Sequence, residues 1–168
     1  MDLFEAIAAR ASVRSFRPAE IPQEDIEKIL DAGRRAPSGR NIQPLEFVVI
    51  KNRDTLSQLA QAQGCIAEAS LAIAIVADPQ KSQYWLEDAS AAAENMLLAI
   101  AALGYGSVWI EGTLLPVEDK CKQILGVPPE LRLIILLPIG APAAPPRQAD
   151  KRPLAQMTHW ERYGQRQP

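Results

Sequence analysis

Asp88-Ala-Ser-Ala-Ala-Ala-Glu-Asn-Met-Leu-Leu-Ala-Ile-Ala-Ala-Leu103, closed by Gly104, is the stretch from which the rest of the chain is read. Twelve of its sixteen residues are apolar and fall on every face of a helix, so no wide polar stripe is left for water. Ala and Leu are strong helix formers, Asp88 is placed to cap the first turn, and Gly104 stands where glycine ends a helix. With Asp88, Ser90, Glu94 and Asn95 in its first half, the helix is too short and too polar to span a bilayer. It is therefore a core helix. In a chain of 168 residues, one domain has little spare interior, and a second subunit is one way to cover such a helix.

The surrounding composition narrows the class. The chain reads as one domain, with 48% hydrophobic and 23% charged residues, ordinary for a soluble globular protein. A net charge of -2 and a pI near 5.5 indicate neither a nucleic-acid footprint nor a membrane-surface patch. Cys65 and Cys121 show no ligand spacing and no export signal is visible, so a reducing, cytoplasmic setting is expected. His159 is the single histidine, which excludes His-rich metal sites, and no nucleophile elbow accompanies it.

Before the core helix, Asp2 and Glu5 form a capping box for a first helix ending near Arg10 or Ala11. Next comes Arg10-Ala-Ser12-Val-Arg14-Ser-Phe16-Arg-Pro18. In a helix Arg10 and Arg14 share a face without Ser12; in an extended chain all three alternate onto one side, and Pro18 favours extension at the end of the run. Two guanidinium groups flanking a hydroxyl make a phosphate-sized cradle; a solvated basic face is the competing reading. Pro22 opens a second helix that stops before Pro37, and Gly33 marks a close backbone approach. Pro37-Ser-Gly-Arg-Asn-Ile-Gln-Pro44 is by itself a turn. Strands are expected at Glu46–Ile50 and, fully buried, at Leu71–Ala77, with a short helix from Asp54 to Ala62 between them.

Gln80 to Glu87, carrying Tyr84 and Trp85, reads as an exposed flap. After the core helix, Gly104 to Thr113 gives a short strand ending in Glu111-Gly112; its glycines lack the third member and the preceding strand of a dinucleotide fingerprint. Pro116–Leu125, capped by Gly126, is a helix, and Leu131–Ile139 a central strand. Pro142, Pro145 and Pro146 begin a tail with Lys151, Arg152, Trp160 and Tyr163, more suited to docking on a partner than to lying free.

Taken together, Arg10-x-Ser12-x-Arg14-x-Phe16, Ala36-Pro37-Ser38-Gly39-x-Asn41-x-Gln43-Pro44, Asn95-x-Leu97-Leu98 with Gly104-x-Gly106-Ser107-x-Trp109, and His159-Trp160-Glu161 resemble the FMN-dependent nitroreductase family along nearly the whole chain. The resemblance implies an α+β fold, a nitroreductase-like three-layer sandwich whose mixed central β-sheet is flanked by helices. It also implies a single domain over residues 1–168, forming an intertwined homodimer with FMN at the interface and residues 142–168 as a tail exchanged onto the partner subunit. Residue by residue, it implies that Arg10 and Ser12 hold the FMN phosphate with Lys151 or Arg152, and that Arg14 lies beside the flavin N1/O2 edge. Pro37, Ser38, Gly39, Asn41 and Gln43 form the loop offered by the second subunit, and the backbone of Ile110, Glu111 and Gly112 addresses flavin N5 and O4. Leu45 stands where many members carry Trp. The implied activity is reduction of nitroaromatics, quinones or related acceptors by NAD(P)H in a ping-pong cycle through flavin N5, with no metal and no side-chain nucleophile. Dehalogenation, enoate reduction or flavin breakdown on the same scaffold, and a non-catalytic flavin-binding protein, are the alternatives.

Overall fold

A computed structural model describes residues 1–166 as α1 (Leu3–Ala9), β1 (Phe16–Arg17), α2 (Gln23–Arg34), β2 (Leu45–Ile50), α3 (Arg53–Leu59), β3 (Leu71–Ala77), α4 (Trp85–Ala102), β4 (Gly106–Ser107), α5 (Glu118–Leu125) and β5 (Arg132–Pro142). The strands form one sheet in the order β1-β5-β3-β2, with β4 also on β5. Its ladders are antiparallel, and a parallel bridge between Ser12 and Ser107 makes it mixed.

Strand β3 shows why the run is apolar throughout. Leu71, Ile73 and Ile75 pack with α2 and α4, whereas Ala72, Ala74 and Val76 pack with α3 and α5 on the opposite face. Every residue of the strand is buried. A bulge between Ile75 and Val76 shifts the register on β5, so that consecutive Ile134 and Ile135 both join the α2/α4 layer. The result is a three-layer α+β sandwich. Gly33 lets α2 close on α4: a Cβ there would lie 2.2 Å from the Met96 Cε.

Helix α4 begins three residues before Asp88, which therefore does not cap it; the cap position, Tyr84, makes no side-chain cap bond. Asp88 turns inward instead, at 4% exposure. Residues 80–87 are largely exposed, as expected, but they are tied down at two points, and residues 85–87 already belong to α4. Ser82 is buried, its hydroxyl receives the Tyr84 N–H (3.1 Å), and the Arg132 guanidinium lies 5.2 Å from the centre of the Trp85 ring. Ala89, Ala92, Ala93, Met96, Leu97 and Ile100 are buried. One side of α4 stays open in a single chain, through half-buried Ala91, Leu98 and Ala101 and exposed Glu94 and Ala102. Helix α1 adds Leu3, Phe4 and Ile7 to the exposed apolar surface.

Candidate functional site

The capping box is present: Glu5 N–H donates to Asp2 Oδ1 and Asp2 N–H to Glu5 Oε2. It starts α1 so that the helix is spent by Ala9, and Arg10 leaves it with an extended ψ of 122°. The tail closes this end: the Gln148 Nε2 donates to the carbonyls of Ile7 (3.2 Å) and Arg10 (3.0 Å). From there the chain runs along β4, with Ser12 bridged to Ser107 and Val13 N–H donating to the Ser107 carbonyl at 2.8 Å. Ala11 is buried and Val13 half-buried, packed on Gly106, where a Cβ would lie 2.8 Å from Val13 Cγ1; Ser12 and Arg14 are exposed. The extended reading of this run therefore holds, with small apolar residues turned in and the polar set turned out.

Arg10 is the most sheltered of the three, with its Nε 3.8 Å from a half-exposed Glu94 carboxylate. The side chains of Ser12 and Arg14 make no hydrogen bond or ion pair among the described residues. Arg14 lies close enough to Cys65 for its charge to oppose the burial that pushes this thiol up. Beside the run, Arg10, Ala11, Val13, Leu97 and Ser107 help to line a cavity of about 230 Å³. The Ser107 hydroxyl is buried there without a hydrogen-bond partner among the described residues.

Main-chain pairing holds the end of the next segment, since Ile110 exchanges both backbone hydrogen bonds with Leu136 (3.0 and 3.1 Å). The Glu111 carboxylate accepts Trp109 Nε1–H at 3.0 Å, and its carbonyl receives the N–H groups of Leu114 and Leu115. The N–H groups of Glu111 and Gly112 make no backbone bond among the described residues. Gly112 is not in the left-handed region, and a Cβ there would meet nothing within 4 Å. The position therefore offers open space on the Cβ side and not a conformation reserved for glycine.

The Pro37–Pro44 turn is more constrained than its composition suggests. Arg40, Asn41 and Gln43 have φ of 53°, 57° and 56°. Such left-handed backbone at non-glycine residues costs about 1–2 kcal/mol each and persists only where surroundings hold it. Ser38 supplies part of the hold, its Oγ accepting Gln43 N–H (3.2 Å) and its carbonyl accepting Asn41 N–H (2.9 Å). Asp88 supplies the rest, with Oδ1 accepting Gly39 N–H at 2.8 Å. Pro37, Ser38, Gln43 and Asp88 border a second cavity, of about 70 Å³.

Within one chain the two sets do not meet. The loop rests on the first turn of α4 at Asp88, whereas the cavity beside Arg10 is lined by Leu97 to Ala101. At 1.5 Å per residue these positions lie roughly 14–20 Å apart along the helix. Lys151 and Arg152 are exposed and follow Gln148, the tail residue tied to Arg10. Beyond them the tail folds on itself: the His159 and Tyr163 rings stack at 4.3 Å, and His159 Nδ1 accepts Gly164 N–H. His159 is thus committed locally. Among the described residues, no group of His, Cys, Asp and Glu side chains could hold a metal ion, and no helix is long and apolar enough to cross a membrane.

Sequence reasoning missed the loop anchor Asp88, the orphaned Ser107 hydroxyl and the Gln148 tie. Asp88 carried a signal, a carboxylate inside an Ala-rich run, but a cap explained it equally well.

Comparison with known proteins gives consistent results. A family model described as the nitroreductase family matches residues 7–70 and 62–141. A protein of Archaeoglobus fulgidus, provisionally named NADH dehydrogenase/NAD(P)H nitroreductase, is 38% identical over 151 residues, covering 84% of this chain and 86% of its own. A crystal structure from Parabacteroides distasonis under the same provisional name superposes with a TM-score of 0.88 at 30% identity, over 96% of this chain and 98% of that one. A Clostridium difficile structure described as an FMN-dependent nitroreductase gives a TM-score of 0.86 at 27% identity, over 95% of this chain and 99% of that one.

Proposed function

This chain belongs to the nitroreductase family of oxidoreductases, and from that premise we propose that it binds FMN and uses NAD(P)H to reduce small acceptors such as nitroaromatics or quinones. The observation that carries the reading is the Arg10, Ser12 and Arg14 run, pinned in extended form on Ser107 with Ser12 and Arg14 exposed and Arg10 half-buried beside the cavity. The residues fit the cofactor. A phosphate needs charge-assisted donors, which Arg10, Ser12 and the Lys151/Arg152 pair would supply. A planar ring needs main chain without side chains in the way, and the open face and free N–H groups at Glu111 and Gly112 meet that need.

Bound there, FMN supplies hydride exchange between a nicotinamide and the acceptor. The protein contributes position and charge. Arg14 would place a fixed cation beside the ring edge where negative charge grows on reduction. The paired backbone of Ile110 and Leu136 keeps the Glu111 and Gly112 donors in place without reorganisation. Pro37, Ser38, Gly39, Asn41 and Gln43 would approach a flavin held by a second copy, because within one chain they sit at the other end of α4 from the cradle. A homodimer with an exchanged tail is therefore part of this reading, supported by the exposed apolar residues of α1 and by the tail itself.

Purified protein should carry about one FMN per chain, bleached anaerobically by NADH or NADPH. Arg10→Ala should weaken FMN binding by about 1.5–3 kcal/mol and leave riboflavin, which lacks the phosphate, unaffected. Protein that takes up no FMN, or an equal loss for both flavins, rejects the reading of the cradle.

A further inference from the structure

The strain in the Pro37–Pro44 loop requires something to hold it, and the structure shows what does. Three of four consecutive residues from Arg40 to Gln43 are left-handed without being glycine. Hydrogen bonds within the loop close the turn but do not fix it to the body of the protein. Asp88 on α4 and Tyr84, at the cap position just before it, do that at Gly39. Asp88 Oδ1 accepts the Gly39 N–H at 2.8 Å, and the Tyr84 ring packs so closely that a Cβ on Gly39 would lie 2.3 Å from Tyr84 Cδ2.

Asp88 is itself unusual: a carboxylate at 4% exposure, in the first turn of an otherwise apolar helix, with no ion-pair partner among the described residues. Its second oxygen, Oδ2, is buried with no hydrogen bond among the described residues. Burying such a group is unfavourable unless it is hydrogen-bonded or paired, and among the described residues the partner of its side chain is the Gly39 N–H. A cap would explain it, but α4 begins too early for that.

We infer that Asp88 is the positioning residue of the flavin-facing loop, fixing Gly39 so that Asn41 and Gln43 are presented in their left-handed conformations before any ligand arrives. Tyr84 is its steric counterpart, and Gly39 is glycine because ring and carboxylate close on it from the start of α4. The Asp88 carboxylate thus couples the core helix to the site without touching the substrate. The inference rests on the reading of Pro37–Gln43 as flavin-binding.

The test uses full-length protein, stripped of flavin and titrated with FMN and with riboflavin. Asp88→Ala removes the acceptor for Gly39 and should weaken both flavins by the same factor, about tenfold or more, because the loop does not address the phosphate. Asp88→Asn keeps a carbonyl oxygen for Gly39 and should restore both to within about threefold of wild type. Arg10→Ala, measured alongside, should affect FMN alone.

Thermal unfolding of the stripped proteins separates a binding effect from a general loss of fold. If Asp88→Ala does not fold, Gly39→Ala replaces it: the added methyl meets the Tyr84 ring and should weaken both flavins equally, and Tyr84→Ala in the same chain should recover most of the loss. Normal flavin affinity in Asp88→Ala, or in Gly39→Ala, overturns the inference while leaving the flavin reading intact. Failure of Asp88→Asn to restore binding in a folded protein also overturns it. Failure of wild-type protein to bind either flavin overturns the reading beneath it.

Discussion

The two sides of this molecule are finished to different degrees. Between the helix layers, β3 has no exposed residue, and Ile29, Met96 and Leu136 on three different elements are wholly excluded from water. On α1 and the tail, Phe4 is 80% exposed and Tyr163 94%, with Leu3, Ile7, Leu154 and Met157 also open. Both regions are apolar in sequence, so hydrophobicity alone does not separate them. The interior is complete because each of its apolar faces has a partner within the chain. Among the described residues the outer surface has no such covering layer, the His159–Tyr163 stack apart, and burying one such Phe or Leu would contribute about 1.5–3 kcal/mol. The contrast is that one chain closes the fold and leaves the α1 and tail surface open, the surface that the homodimer proposed above would cover.

The comparison can be broken most forcibly from the inside. Leu97→Asp or Ile100→Asp places an unpaired carboxylate among buried side chains and should cost more than about 4 kcal/mol, enough to lose the fold. Circular dichroism and light scattering check this; a folded variant would mean that the α4 interior is less closed than the structure shows.

A polar contact within the closed region comes next. Glu118 holds Arg132 through both carboxylate oxygens (2.8 and 2.9 Å) and accepts Leu133 N–H at 3.0 Å. Glu118→Ala leaves that N–H without its acceptor while water reaches part of the 36% exposed guanidinium, and should destabilise by about 1–3 kcal/mol in urea unfolding. Glu118→Gln, which keeps an acceptor, should lose less.

The open side should respond differently. Phe4→Ser should weaken self-association by about 1.5–3 kcal/mol while leaving the unfolding of the dilute protein nearly unchanged. Sedimentation over a concentration series measures the first and urea unfolding the second. An unchanged association constant would move the dimer contact elsewhere.

The smallest effect lies on the exposed network at α2. The Tyr105 hydroxyl donates to Asp25 Oδ2 at 2.8 Å and, with Lys28 adding to it, holds the Asp25 carboxyl below its ordinary value. A carboxylate whose folded pKa is depressed stabilises above the unfolded value and loses that contribution as pH falls through the folded one. Melting temperatures from about pH 6 down to about pH 3 should therefore fall slightly less steeply in Asp25→Asn than in wild type. Identical slopes would show that solvent screens the contact completely.

Much of the frame was legible in the chain because it follows from local chemistry. The run Leu71–Ala77 is the strand expected, residue for residue, since seven apolar residues with β-branched members and a following Asp-Pro leave few alternatives. The capping box at Asp2 and Glu5, the stop of α2 before Pro37 and the left-handed Gly126 after α5 were equally local. The order Arg10, Ser12, Arg14 was legible as residues but not as geometry: helix and extended chain both fit until β4 claimed Ser12 and Val13.

Other features were beyond reach of the sequence because they depend on neighbours distant along the chain. Asp88 looked like a helix cap, and only the approach of Gly39, 49 residues away, shows what its carboxylate holds. Gly112 was legible only as the end of a short strand, and the structure adds that it lies outside the left-handed region with nothing within 4 Å of a Cβ placed there. The flap expected at Tyr84 and Trp85 was decided by a guanidinium on β5 and by a glycine in the loop. Sequence by itself determined most helices and strands, because capping, turn chemistry and apolar periodicity act within a few residues; the strand expected over residues 104–113 shrinks to Gly106–Ser107 and a lone bridge at Ile110, set by pairing with β5. Tertiary structure alone decided which polar groups are held, freed or strained, because hydrogen bonds and burial are set by whatever the fold brings alongside.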